Sequence, residues 1–212
     1  MNPPRLLLLT DRAQLRLGRG LVRTVRECVE AGLTHVLVRE LDLPEQHRAA
    51  LVAALADLEG LTVLSAHSLL PGADGVHLPA APAAPDACNA GFHRLPKRRG
   101  AWEVGRTPRY MPVVGVSGHS AEDVRRAAAE GAAYATLSPY APSGSKPGYG
   151  PPIDPADLAG HHIPVLALGG VGPDNAAEAR AHGAYGVAVM GAVMRAPEPA
   201  AVVRTLLAEV AP

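Results

Sequence analysis

A single closed (β/α)8 barrel is the fold the sequence predicts, and three observations predict it. Short apolar runs recur along the 212 residues, about eight in all, and most are followed by a stretch with helical periodicity. The runs are nearly continuous in apolar residues, which suits a parallel sheet buried on both faces. No glycine-rich dinucleotide fingerprint follows the first run, so an open doubly wound sheet is the weaker alternative, and the length matches a compact barrel.

The elements follow in order. "RLLLLT" (5–10) precedes a helical face at Leu21, Val22, Val25, Cys28 and Val29. "HVLVRE" (35–40) precedes a helix expected to start at Pro44 and to end at Gly60. "LTVLSA" (61–66) and "GVHL" (75–78) come next, then "VVGVSG" (113–118) and a helix whose Ser120 and Asp123 are spaced as a capping box. "AYATLS" leads into "SPYAPSGSKPGYGP" (138–151), "IPVLALGG" (163–170) into "PDNAAEARAHGA", and "GVAVMG" (186–191) into "EPAAVVRTLLAEV". One stretch, about 80–111, breaks the rhythm. Its half at 92–110 is basic and reads as a surface insertion on the single domain 1–212.

Composition excludes several classes. Charge is balanced at zero, which argues against a general nucleic-acid binder. Two cysteines form neither a disulfide framework nor a metal cluster, and no apolar run reaches the length of a membrane span. A cytoplasmic protein is expected. Aromatics are only 3%, so the core must be built of Ala, Val and Leu.

In such barrels chemistry sits at the C-terminal strand ends, with phosphate commonly bound beyond strands seven and eight. Those two ends read "ALGGV" and "AVMGA", where small residues let an oxyanion approach backbone N–H groups. The loop at 138–151 adds Ser143, Ser145 and Lys146, hydroxyls and a point charge suited to an anion, although Gly, Pro and Ser also punctuate ordinary loops. Other ends carry Asp11, Arg39, Glu40, His67, His77, Ser117 and His119. Singly each has a bland reading, as a cap, an ion pair or an interior histidine. Together they form a polar ring. Arg39 is expected to point into the mouth and to meet Glu40, Asp11 or a substrate carboxylate.

The succession "LTD", "VLVRE", "GADGVHL", "GVSGHS", "SPYAPSGSKPG", "IPVLALGGVGPDN" and "GAYGVAVMGAV" resembles the thiamine phosphate synthase and TenI superfamily over most of the chain. The resemblance implies a thiazole phosphate as ligand, held by Ser117, Ser143, Ser145, Lys146, Gly169, Gly170, Met190 and Gly191, and a homodimer. It implies two chemistries. Synthases join a pyrimidine diphosphate to the thiazole phosphate with Mg²⁺. Here Leu41 stands where they carry a lysine, Ala66 and His67 where they carry acidic ligands, and no acid follows His77 closely. TenI-type tautomerases move a proton without metal or other cofactor, and the departures point to that branch, with His119, His67 and Arg39 as catalytic residues and no metal site. Pro139 occupies the position of the histidine such tautomerases carry. The synthase and a non-catalytic TenI-like binder are the alternatives.

Overall fold

The computed structural model describes residues 3–16, 18–80, 112–142 and 150–211. The expected barrel forms from eight parallel strands, each hydrogen-bonded to the next, with β1 closing on β8. They are β1 (Leu6–Leu9), β2 (His35–Val38), β3 (Thr62–Ala66), β4 (Gly75–Leu78), β5 (Val113–Gly118), β6 (Tyr134–Leu137), β7 (Val165–Leu168) and β8 (Gly186–Val189). Around them lie α1 (Leu21–Glu30), α2 (Glu45–Ala56), α3 (Ala121–Glu130), α4 (Ala176–Ala181), α5 (Gly191–Met194) and α6 (Pro199–Glu209). The basic stretch at 80–111 lies almost wholly outside the described residues.

Alternation along the strands separates two cores. Leu7, Leu9, Leu37, Leu64, Ala66, Tyr134, Leu166 and Ala188 face the lumen and fill it. Their neighbours Leu6, Leu8, Val36, Val38, Val63, Ala135, Leu137 and Val187 face outward and pack under the helices. Both faces are apolar, as a closed parallel sheet requires.

Local signals behave as their chemistry dictates. Ser120 caps α3, its Oγ accepting from Asp123 N–H at 3.2 Å, while Asp123 reaches back to the His119 N–H at 2.9 Å. Gly131 ends that helix in the left-handed region at φ 90°. Pro44 is the residue before α2, as expected. The helix stops at Ala56 rather than Gly60, because Leu58 and Leu61 N–H groups close tighter turns ahead of β3.

No helix separates β3 from β4. Residues 67–74 make the return in turns, with Ser65 Oγ accepting from Leu70 N–H at 3.1 Å and Asp74 accepting from Val63 N–H at 2.8 Å. Leu70, 3% exposed, takes the place of a helix against the outer core. At the far end of the barrel, Arg5 stacks 4.2 Å over the Tyr185 ring and donates to the Tyr185 carbonyl at 2.8 Å, closing the β8–β1 seam.

A bulky ring crosses the lumen at β6. Tyr134 is fully buried, and its partner across the β5–β6 ladder is Gly115. A Cβ at Gly115 would fall inside the Tyr134 ring. Gly115→Ala should therefore destabilise the barrel by about 1–3 kcal/mol through overpacking. Urea unfolding of that variant checks it, and a midpoint equal to wild type would refute the packing described.

Candidate active site

Inward-facing positions, continued to the C-terminal strand ends, bring Arg39, Ala66, His77, Ser117, Thr136 and Met190 to one mouth. Arg39 lies two residues beyond Leu37, on the lumen parity of β2. Its expected protein partners are engaged elsewhere. Glu40 has the opposite parity and is engaged by Arg12, whose guanidinium donates to Glu40 at 3.0 Å and to Asp42 at 2.6 Å. Asp11 accepts instead from Ala13 N–H at 3.1 Å and from the Gln14 amide at 2.5 Å. Asp42 and Glu40 tie the β1 and β2 loops together through Arg12, and their hydrogen bonds, that of Asp42 first, hold the Arg12 guanidinium well above its usual range.

A hydrogen-bonded column crosses the lumen beneath this rim. His77, 5% exposed, meets the Tyr134 hydroxyl through Nδ1 at 3.0 Å and Ser117 Oγ through Nε2 at 2.9 Å. Burial, followed by the charge of His67, pushes the His77 imidazole down to about 4, so it is neutral at pH 7. Burial also pushes the Tyr134 phenol far above its usual range. A neutral imidazole donates through one nitrogen and accepts through the other. When Tyr134 donates to Nδ1, Nε2–H donates to Ser117 and the serine hydroxyl proton is left for a ligand; in the other tautomer Nδ1–H donates to Tyr134 and Ser117 donates to Nε2. Thr136, beside Ser117 in the ladder and 1% exposed, has a hydroxyl with no hydrogen-bond partner among the described atoms. Sequence reasoning left His77 as an interior histidine and did not single out Tyr134 or Thr136; their separation along the chain hides the column.

The end of β3 joins the apolar Ala66 to a histidine that feels two guanidinium groups. His67 sits at φ 67°, its N–H donating to the His77 carbonyl at 2.9 Å. Desolvation, then the charges of Arg39 and Arg48, lower the pKa of its ring. Leu41 is the exposed large hydrophobic residue here, at 39%. Among the described residues, no three His, Cys, Asp or Glu side chains stand together as a metal-ligand group. Mg²⁺ is a hard cation that takes oxygen ligands, usually with one or two carboxylates. The donor set described at β3 and β4 does not fit it.

The opposite side of the mouth is built of backbone. Gly169 and Gly170 follow β7 at φ 87° and 67°, and the β6 loop lies directly on them. Tyr140 N–H donates to the Leu168 carbonyl at 2.8 Å and Ala141 N–H to Gly169 at 2.9 Å, so a Cβ on Gly170 would collide with the Ala141 carbonyl. Asn175 locks the turn, donating to the Gly170 carbonyl at 3.0 Å and accepting from Gly172 N–H at 2.9 Å. Met190 precedes α5, where Gly191 begins the helix. The β6 loop thus leaves the Gly-Gly turn at Pro142. Ser143, Ser145 and Lys146 lie outside the described residues. His119 stands exposed on the rim between β5 and β6, its Nδ1–H donating to the Ser138 carbonyl at 2.9 Å.

The His77 column has a measurable consequence. Its folded-state pKa of about 4 lies below the unfolded value near 6.5, so the unfolded chain takes up the proton first. This contribution to stability is complete above the unfolded value and is lost as pH falls toward 4, by about 3 kcal/mol. Urea unfolding across that range should show a shallower pH dependence for His77→Gln than for wild type. Parallel curves would refute the buried neutral imidazole.

Known proteins resemble this chain over nearly its whole length. Residues 103–193 match a family model described as thiamine monophosphate synthase. A Geobacter sulfurreducens protein named "Putative thiamine-phosphate synthase" is 36% identical over 98% of this chain and 94% of its own length. The thiamine-phosphate synthase of Methanoculleus marisnigri is 32% identical, covering 95% of this chain and 92% of that protein. A thiamine phosphate pyrophosphorylase from Pyrococcus furiosus shares the fold, with a TM-score of 0.72 at 24% identity over 97% of this chain and 95% of that one. The relatives' names support the synthase alternative better than the tautomerase reading that the sequence departures favoured. The chain belongs to the thiamine-phosphate synthase and TenI family, a family of thiamin biosynthesis.

Proposed function

We propose that this protein joins a pyrimidine diphosphate to a thiazole phosphate. The thiazole ring nitrogen forms a bond to the methylene carbon of the pyrimidine, the C–O bond to the diphosphate breaks, and pyrophosphate leaves with the electron pair. The observation that carries the reading is near-full-length identity of 31–36% to proteins named as thiamine-phosphate synthases. The mouth supplies what the chain's own residues contribute. The Gly-Gly turn and Gly191 suit backbone amides to the thiazole phosphate, and Ser143, Ser145 and Lys146, which follow Pro142 in the sequence, add hydroxyls and a point charge suited to the same anion. Ser117, backed by His77 and Tyr134, and the unpartnered Thr136 hydroxyl suit the rings. Arg39 suits the departing negative charge. A homodimer in the cytoplasm belongs to the same reading; no described helix is long and apolar enough to cross a membrane.

One observation favours a second reading, a thiazole tautomerase. Ala66 and His67 end β3 with no carboxylate, and a proton shift on an anchored ring needs only the anchor and a titratable group, His67 or His119. Purified protein is incubated with both synthase substrates and Mg²⁺, and separately with the carboxythiazole phosphate tautomer. Formation of thiamin phosphate is the expected result. Ring aromatisation alone, slowed in His67→Ala or His119→Ala, establishes the second reading in its place. Thiazole phosphate bound without either turnover leaves a binder. In each case Lys146→Ala should weaken thiazole phosphate binding by ~1.5–3 kcal/mol in a calorimetric titration, the cost of a charge-assisted hydrogen bond. Unchanged affinity would remove that loop from the site.

A further inference from the structure

Three side chains from three elements converge on Ala66 at the end of β3, and none has a carboxylate partner among the described residues. Arg39 comes from the end of β2. The β2–β3 register runs through Val38 opposite Ser65, so Arg39 flanks Ala66 from the lumen side. Arg48 comes from the first turns of α2, and its Nη1 donates to the Ala66 carbonyl at 3.3 Å. Its Nε is buried with no acceptor among the described residues. His67 follows Ala66 in the left-handed region, a conformation rare outside glycine, held by its own N–H to the His77 carbonyl and by Ser68 N–H to the Ala66 carbonyl, both at 2.9 Å.

The charges that reach the His67 ring are those of Arg39 and Arg48. Neighbouring carboxylates are spent elsewhere, Glu40 and Asp42 on Arg12 and Asp11 on Gln14. The result is a concentrated positive field at the mouth with donors left over. Guanidinium groups present planar forks of N–H donors that match phosphoryl oxygens, and the incompletely satisfied Arg48 gains acceptors when an anion arrives.

We propose that Arg39, Arg48 and His67 form an anion site that holds a diphosphate directly, without a bridging metal ion. Cations flank β3 from two sides, so an anion with oxygens on two phosphorus centres reaches both. An arriving anion also favours the protonated His67 ring, which then becomes a further donor. The identity of the anion as the substrate's diphosphate rests on the transfer reading above; the metal-independent site itself rests on the three side chains.

Inorganic pyrophosphate titrated calorimetrically into the full chain in EDTA tests the site. Saturable binding is expected, altered less than twofold by replacing EDTA with Mg²⁺. Arg48→Gln should weaken it about tenfold. His67→Asn, which removes the ring but tolerates the left-handed backbone, should weaken it at least threefold, and this exposed position guards against a folding defect at Arg48. Binding seen only with Mg²⁺, or equal affinity in both variants, overturns the proposal. Pyrophosphate held in EDTA by a protein that forms no thiamin phosphate upholds the anion site and refutes the transfer reading. Thiamin phosphate formed by a protein that binds pyrophosphate only with Mg²⁺ does the reverse.

Discussion

Closure of the parallel sheet is the constraint on which the site depends. Once β1 pairs with β8, every strand must alternate between lumen and helix layer, and a shift of one residue would exchange the two faces. Leu7, Leu37, Leu64 and Leu166 fix that alternation by filling the lumen. Arg39, His77, Ser117 and Thr136 are carried to the mouth by the same parity that buries those leucines. Glu40, one residue beyond Arg39, is turned away from the lumen and into the Arg12 pair.

The mouth is chemically divided. Toward β6, β7 and β8 it is made of glycines and loop backbone, where the β6 loop lies so close to Gly169 and Gly170 that side chains are excluded. Toward β2 and β3 it is made of guanidinium groups and a histidine. Between them runs the column from Tyr134 through His77 to Ser117, whose members burial keeps neutral. Under the proposed function these three zones divide the work: amides for one phosphate, hydroxyls for the rings, cations for a second anion.

Much of this was legible in the sequence for identifiable reasons. Apolar runs announce strands buried on both faces, Ser120 and Asp123 announce the start of α3, and the paired glycines announce a close approach. Arg39 was expected at the mouth from its place at the end of a buried run, and the parity of β2 is consistent with that. Its expected protein partners are engaged elsewhere: Glu40, the next residue in sequence, is claimed by Arg12, and Asp11 accepts from Ala13 and Gln14 within its own turn. The column was hidden because His77 lies 57 residues from Tyr134 and 40 from Ser117. Arg48 was not singled out in the sequence, because only the fold of α2 sets its guanidinium against Ala66. The preference for a tautomerase rested on missing carboxylates, a local signal; the relatives' names draw on similarity over nearly the whole chain and weigh toward the synthase.

The central claim is that lumen parity builds one ligand site at the C-terminal mouth. A crystal structure of the protein soaked with a thiazole phosphate tests it most directly. The account predicts the phosphate on the amides of the Gly169–Gly170 turn and of Gly191, with the ring over Ser117 and Thr136. Phosphate bound at the Arg5–Tyr185 end of the barrel, or outside the helix layer, would contradict it.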